Sequence, residues 1–388
     1  MLPADRGPMA ALLAIMAVVL VAFLVIGLAL PVLPLHVHQT LGFDAFVVGL
    51  VAGSQFAASL LSRVWAGHYA DRRGGKRTVL IGLVAAAAAG VLYLLSLLLL
   101  TAPLLSVTVL LLGRGLLGAA ESLIITGALS WGLGRVGRQS AGRVIAWVGM
   151  AMFAALALGA PIGTTLYGQW GFAAIALATA LLPLAAMLPV AAAPAVPGGS
   201  GGRPSLWRVA GAIWLPGLGA ALGSVGFGAI LTFSSLLFSG RGWSPIWLPF
   251  STFAAFLILA RIVGGHWPDR LGGARVALVS ALVEAVGLAV IWLAPDRLTA
   301  AAGAALAGFG YSLVYPGLGL EAIRRAPAQS RGLAMGAFTA CLDLALGVAG
   351  PALGLLASGL GLGSVFLAGA LIVAAAAGIS LRLLRTTA

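Results

Sequence analysis

Charged side chains are what this sequence has least of. Of its 388 residues only 8% are Asp, Glu, Lys or Arg, while 61% are hydrophobic and the mean hydropathy is +1.12. A water-soluble fold needs polar surface on every outer element, and so few charges cannot supply it. Cysteine is nearly absent as well: Cys341 alone excludes an intramolecular disulfide and leaves the redox compartment open. The short alternating segments of a membrane β-barrel are missing. So is any Walker sequence, and no ATPase is expected. No nucleophile–base pair stands out either, so an enzyme is not expected. Gly132-x-Gly134-x-x-Gly137 has dinucleotide-binding spacing but follows an apolar span, not a strand, and no cofactor is expected. His36 and His38 with Asp44 form too small a ligand set for a metal; Asp44 reads better as a helix N-cap. His68 and His266 read as loop residues of a repeated motif.

What remains is apolar sequence in long runs, each able to cross ~30 Å of hydrocarbon as a helix. The spacing predicts twelve spans: 10–35, 45–69, 78–100, 103–131, 141–166, 171–193, 209–238, 245–267, 275–294, 298–322, 331–358 and 363–384. The fold class expected is therefore an all-α integral membrane protein in two six-helix bundles. The first run, from Met9, is too long for a signal-peptide core and reads as a true span. Residues 194–208, rich in Pro, Gly and Ser, read as a cytoplasmic linker between bundles 1–193 and 209–388.

The net charge of +13 would suit a nucleic-acid binder, but its distribution argues otherwise. Seventeen Lys and Arg residues fall on one side of the predicted spans, among them Arg72, Arg73, Lys76, Arg77, Arg270 and Arg275, and only Arg241 and Arg297 fall on the other. The positive-inside rule then places both termini in the cytoplasm, with the lipid bilayer as the partner and no nucleic acid.

The halves repeat. Arg63-Val-Trp-Ala-Gly-His-Tyr-Ala-Asp71-Arg72-Arg-Gly74-Gly75-Lys76-Arg77 aligns with Arg261-Ile-Val-Gly-Gly-His-Trp-Pro-Asp269-Arg270-Leu-Gly272-Gly273-Ala-Arg275, and eight of the fifteen positions are identical. A second echo pairs Gln139-Ser140-x-Gly142 with Gln329-Ser330-x-Gly332, each followed at the same spacing by a proline, Pro161 and Pro351. Two parallel repeats around a midplane site are a transporter architecture.

Three motifs carry a family resemblance over the whole chain. Gly67-His-Tyr-Ala-Asp71-Arg72-Arg-Gly74-Gly75-Lys76-Arg77 resembles the signature loop between helices 2 and 3 of the major facilitator superfamily. Arg114-Gly-Leu-Leu-Gly118 resembles its helix 4 motif associated with proton coupling, and Gly159-Ala-Pro161-Ile-Gly163 its antiporter motif in helix 5. The chain is similar to the twelve-helix drug:proton antiporters and, more loosely, to bacterial sugar-efflux permeases. The resemblance implies a conformational latch at the Asp71 loop, meeting the start of helix 11 near Ser330. By the repeat, Asp269 should meet the start of helix 5 near Ser140. It also implies a cavity lined by helices 1, 4, 7 and 10.

Ionisable residues inside spans are costly and are candidates for function by default. Counting from the cytoplasmic helix ends puts Arg63 and Arg261 about 12 Å deep, Glu284 about 13 Å, Glu121 about 16 Å, Asp343 about 19 Å and Arg114 about 26 Å. Arg261 and Glu284, equal in depth on successive spans, are expected to form a structural ion pair, with proton coupling the other role for Glu284. Arg63 could likewise satisfy Glu121. Asp343 shares its depth with no basic residue of its half, so it can take up and release a proton near neutral pH, or stay protonated against Thr339. Glu121 is the runner-up, one face with Arg114 at i, i+7. Arg114 itself can anchor a substrate carboxylate or tune a nearby acid. Gln55, Phe233, Ser234, Tyr311 and Tyr315 are the remaining candidates for substrate contact, with helix packing as the alternative role. Together these point to a monomeric bacterial inner-membrane exporter of a sugar-like, drug-like, zwitterionic or anionic small molecule, driven by protons. Proton symport into the cell is the second reading, and a non-transporting sensor the third.

Overall fold

The computed structural model describes residues 8–136, 141–196, 206–326 and 331–387, and every regular element among them is a helix. Helix α1 is Pro8–Ala29, with proline at its first turn where the N–H is dispensable. It continues through two short turns, Leu33–Leu35 and His36–Thr40, rather than as the single span expected to residue 35. Helix α2 is Ala45–Arg73, α3 is Gly75–Leu97 and α4 is Pro103–Val136. Ala141–Ala192 is one helical run broken at Gly171, whose φ of 67° suits glycine, giving α5 (141–170) and α6 (172–192). Then come α7 (Leu206–Gly240), α8 (Leu248–Gly264), a one-turn helix at Trp267–Leu271, α9 (Gly273–Leu293), α10 (Arg297–Arg325), α11 (Arg331–Leu360) and α12 (Gly363–Thr387).

Ten runs are long and apolar enough to cross a membrane by themselves. One of them holds both α5 and α6, and α8 is a shorter apolar helix, so the described helices include twelve that suit the two six-helix bundles expected. The turn between α2 and α3 needs Gly74, at φ 86°, and its repeat-related turn needs Gly272, at φ 93°. A Cβ is disfavoured at both, which is why the repeated motif keeps glycine there.

The chain forms two compact units: Met1–Ala29 with Ala58–Gly201, and Leu30–Ala57 with Gly202–Ala388. In the first, α1 packs on the α5–α6 run and α3 packs on both α4 and that run. In the second, α7 packs on α11, and α9 packs on α10 and α12. The internal duplication thus reappears as the same pattern of helix pairs. Glycine makes the pairs close: Gly75 of α3 lies against the backbone of Gly127 on α4, and the repeat-related Gly273 of α9 lies against Gly317 on α10.

The division differs from the sequence reading, which puts the whole second span in the first bundle. Residues 45–57 of α2 belong with the second unit because Gly49 and Gly53 let its backbone approach Gly350 and Gly347 of α11. Of the expected linker, 197–205 lie outside the described residues, as do Ser140 and Ser330 and hence the sites where the two Asp loops were expected to dock.

Candidate functional site

In the second unit four ionisable residues act on one buried side chain, Tyr311 on α10. Its ring stacks on Phe227 of α7, with centroids 4.8 Å apart, and lies tilted against Phe253 of α8 at 6.1 Å. Glu284 of α9, Tyr315, Arg261 of α8 and Asp343 of α11 all lie within electrostatic range of its hydroxyl. One turn along α10, the Tyr315 hydroxyl shares a 2.7 Å hydrogen bond with Thr339 Oγ1 of α11, and Thr339 in turn donates to the Met335 carbonyl. Four helices therefore contribute an acid, a base or a hydroxyl to one cluster, in which Tyr311, Glu284 and Asp343 are buried and Arg261, Tyr315 and Thr339 half-buried. Depth counts along single helices miss it, because they leave open which way each residue faces. Asp343, read as isolated from any base, is one member and Arg261 another.

The expected Arg261–Glu284 ion pair is not formed. Glu284 is fully enclosed, and neither of its carboxyl oxygens has a hydrogen-bond partner among the described residues. Instead Oε1 points at Gly226 of α7, where an added Cβ would lie 2.5 Å away. Equal depth is necessary for a pair but does not fix the direction in which each side chain points.

In the first unit the conspicuous residue is Arg114 on α4. It is 1% exposed, and its Nε and Nη1 have no hydrogen-bond partner among the described residues. Glu121, two turns on, is half-buried. Tyr93 of α3 packs its ring against the Gly113 backbone beside Arg114. Of the other candidates, Phe233 and Ser234 are buried on α7 and Gln55 is buried on α2.

The loop residues sort by exposure. Asp71, Arg72, Asp269 and Arg270 are exposed, whereas Gly75 and Gly273 are buried in helix contacts. Lys76 has a target that the sequence did not reveal: Nζ donates to the Ala191 and Ala193 carbonyls, at 2.7 and 2.6 Å, capping the end of α6. Trp131 Nε1 donates to Pro194 O next to them. The glycines of the antiporter-like motif lie in a close helix contact. Gly159 and Gly163 of α5 lie against the backbone of Gly27 and Leu28 on α1, and Pro161 sits within the helix between them. Asp44 does cap α2, accepting from Val47 N at 3.1 Å. His38 Nδ1 is bonded to Phe43 O, and no cluster suited to a metal occurs among the described residues. Glu321 pairs with Arg324 at 3.5 Å near the end of α10. Phe227 and Phe253 went unremarked in the sequence, since nothing distinguishes a stacking phenylalanine from a lipid-facing one.

Comparison with known proteins supports the same architecture. The model for the Major Facilitator Superfamily matches residues 15–260 and 242–388. An uncharacterized MFS-type transporter of Salmonella typhimurium is 43% identical over 353 residues, covering 91% of each chain. One from Burkholderia pseudomallei is 43% identical over 387 residues, covering 98% of this chain and 93% of its own. Among solved structures, a bacterial homologue of the human lysosomal transporter Spinster has a TM-score of 0.78 at 15% identity, covering 99% of this chain and 98% of its own. The D-xylose-proton symporter has a TM-score of 0.75 at 13% identity, covering 94% and 97%. At such identities the likeness is one of fold.

Proposed function

The chain belongs to the major facilitator superfamily, is a multi-pass membrane transport protein and not an enzyme, and from that premise we propose that it exports a small organic anion or zwitterion in exchange for protons. The observation that carries the reading is Arg114. A guanidinium does not shed its proton in a protein, and a buried charge without partners is costly in a membrane. Two guanidinium nitrogens without a hydrogen-bond partner at one enclosed position therefore suit a ligand that brings its own negative charge, and a carboxylate fits the planar fork. Asp343, buried in a cluster that also contains Arg261, is the leading proton carrier and Glu121, sharing α4 with Arg114, the second.

The driving force is adequate. One proton moving inward yields about 2.3 kcal/mol per 100 mV and about 1.4 kcal/mol per pH unit, enough for a concentration ratio of a few hundred for a neutral solute. The exposed Asp71 and Asp269 serve as latches that hold and release helix starts during the cycle, each contact worth about 0.3–1 kcal/mol and so breakable in every turnover.

The test is transport into everted vesicles, comparing carboxylate, amino-acid-like and neutral sugar solutes with the proton gradient intact and collapsed. Accumulation of a carboxylate-bearing solute only while the gradient stands is the expected result. Equal accumulation after its collapse removes proton coupling, and accumulation in whole cells instead makes the protein an importer.

A further inference from the structure

Helix α7 has no charged residue between Arg208 and Arg241, and its glycines serve as seats. A Cβ added at Gly219 would meet Leu318, one at Gly223 would meet Val314, and one at Gly226 would meet Glu284 Oε1. The first two seats hold aliphatic side chains of α10, whereas the third holds an acid. Leu288 and Val373 of α12 meet the same position at Gly226, Gly310 of α10 lies against the Glu284 backbone, and Glu284 itself is 0% exposed. The repeat-related position in the first half is Ala86, so the acid is a departure from the duplicated packing rather than part of it.

An enclosure without a donor accommodates a neutral carboxyl but not a carboxylate, which would need hydrogen bonds or water. The titratable groups on the elements packed against α9 are few: Arg297, Tyr311, Tyr315, Glu321, Arg324 and Arg325 on α10, Arg208 at the start of α7, Arg382 and Arg385 at the end of α12, and Asp269 and Arg270 in the turn before α9. Of these, Tyr311 and Tyr315 belong to the Tyr311 cluster, along with Arg261 and Asp343 from α8 and α11.

Resting on the proton-coupled reading above, we propose that Glu284 is a positioning residue that seats α7 when protonated and displaces it when ionised, so that the proton sets the position of this glycine-rich helix. Loss of the proton from Oε puts a charge against the α7 backbone at Gly226. The charge is relieved when that segment, which has Pro216 and four glycines from Gly217 to Gly226, moves away and admits water. Protonation restores the seat.

The chain carries its own reporter. Its single cysteine, Cys341 on α11, has Sγ against Gly217 of α7, where an added Cβ would lie 2.9 Å away. Maleimide labelling of Cys341 in the purified full-length protein is measured across pH, each rate normalised to that of the denatured protein at the same pH. The wild type should show a several-fold rise in normalised rate as pH increases. Glu284→Gln, neutral at every pH and nearly the same shape, should stay slow with the rise abolished. Gly226→Ala, whose methyl would occupy the Oε1 seat, should label fast even at low pH. No rise in the wild type, a wild-type rise in Glu284→Gln, or slow labelling of Gly226→Ala at low pH overturns the proposal. Gradient-driven transport is measured on the same wild-type preparation. Transport indifferent to the gradient removes the coupling reading while leaving the labelling result to stand or fall by itself.

Discussion

At the scale of single residues, function is visible as cost. Arg114 places a permanent charge in an enclosed, apolar setting with two guanidinium nitrogens lacking a hydrogen-bond partner, which no stability argument favours. Replacing a buried charge by an apolar side chain of similar volume is commonly stabilising by about 1–4 kcal/mol. Arg114→Met should therefore raise the midpoint of thermal unfolding in detergent and abolish transport of the anionic solute. Arg114→Lys should keep partial transport with a higher KM, because an ammonium lacks the planar fork. A loss of thermal stability in the Met variant would make Arg114 structural. The sequence exposes such residues readily, since Arg114, Glu121, Glu284 and Asp343 are the few charges interrupting apolar runs. What it hides is their neighbours. Arg261 and Glu284 looked paired by depth, yet α8 and α9 turn them to different surroundings, and the Tyr311 cluster draws on four helices that are distant in sequence.

At the scale of elements, helix ends and helix contacts follow local rules. Asp296 precedes α10 and accepts hydrogen bonds from the backbone N–H of Thr299 and Leu298 at 3.0 and 2.8 Å and from the Thr299 hydroxyl at 2.8 Å. The Thr299 backbone bond, then its hydroxyl, then the Leu298 bond hold the carboxyl below the usual aspartate range. A group depressed in the folded state contributes stability above its unfolded value of about 3.9 and loses it as pH falls through the folded one. Asp296→Ala should lower the unfolding midpoint at neutral pH, with the difference from wild type shrinking in acid. Close contacts give a second expectation. A methyl at Gly287 would fall against the backbone of Gly303 and Ala307, whereas one at Gly378 would meet nothing. Gly287→Ala should cost about 1–3 kcal/mol by overpacking, while Gly378→Ala is near neutral. Span number and the turn glycines were legible because length and positive φ are local properties. The break at Gly171 was legible to within a few residues, since the fifth and sixth spans were expected to part at 167–170, but the target of Lys76 was not, because the carbonyls that it caps lie more than a hundred residues away.

At the scale of the whole molecule, the charge asymmetry gives an expected orientation and the duplication organises the fold. The orientation rests on an asymmetry of seventeen basic residues against two, and the two exceptions have local employment. Arg241 Nη1 donates to Ala294 O at 2.6 Å with its guanidinium 4.8 Å over the Trp243 ring, and Arg297 Nη1 donates to Ser244 O at 2.6 Å. Each thus ties the α7–α8 connection to the α9–α10 connection, so both are structural ties between adjacent loops of the second unit rather than topological signals. If the positive side is cytoplasmic, a reporter active only outside the cytoplasm should work when fused after Arg241 or Arg297 and fail when fused after Arg77, Arg275 or at the C-terminus. Arg241→Ala with Arg297→Ala should loosen these two connections, seen as faster proteolysis there, without inverting the protein. Reporter activity at the C-terminus would mean an odd number of crossings or a reversed chain, and either would overturn the orientation read from the charges.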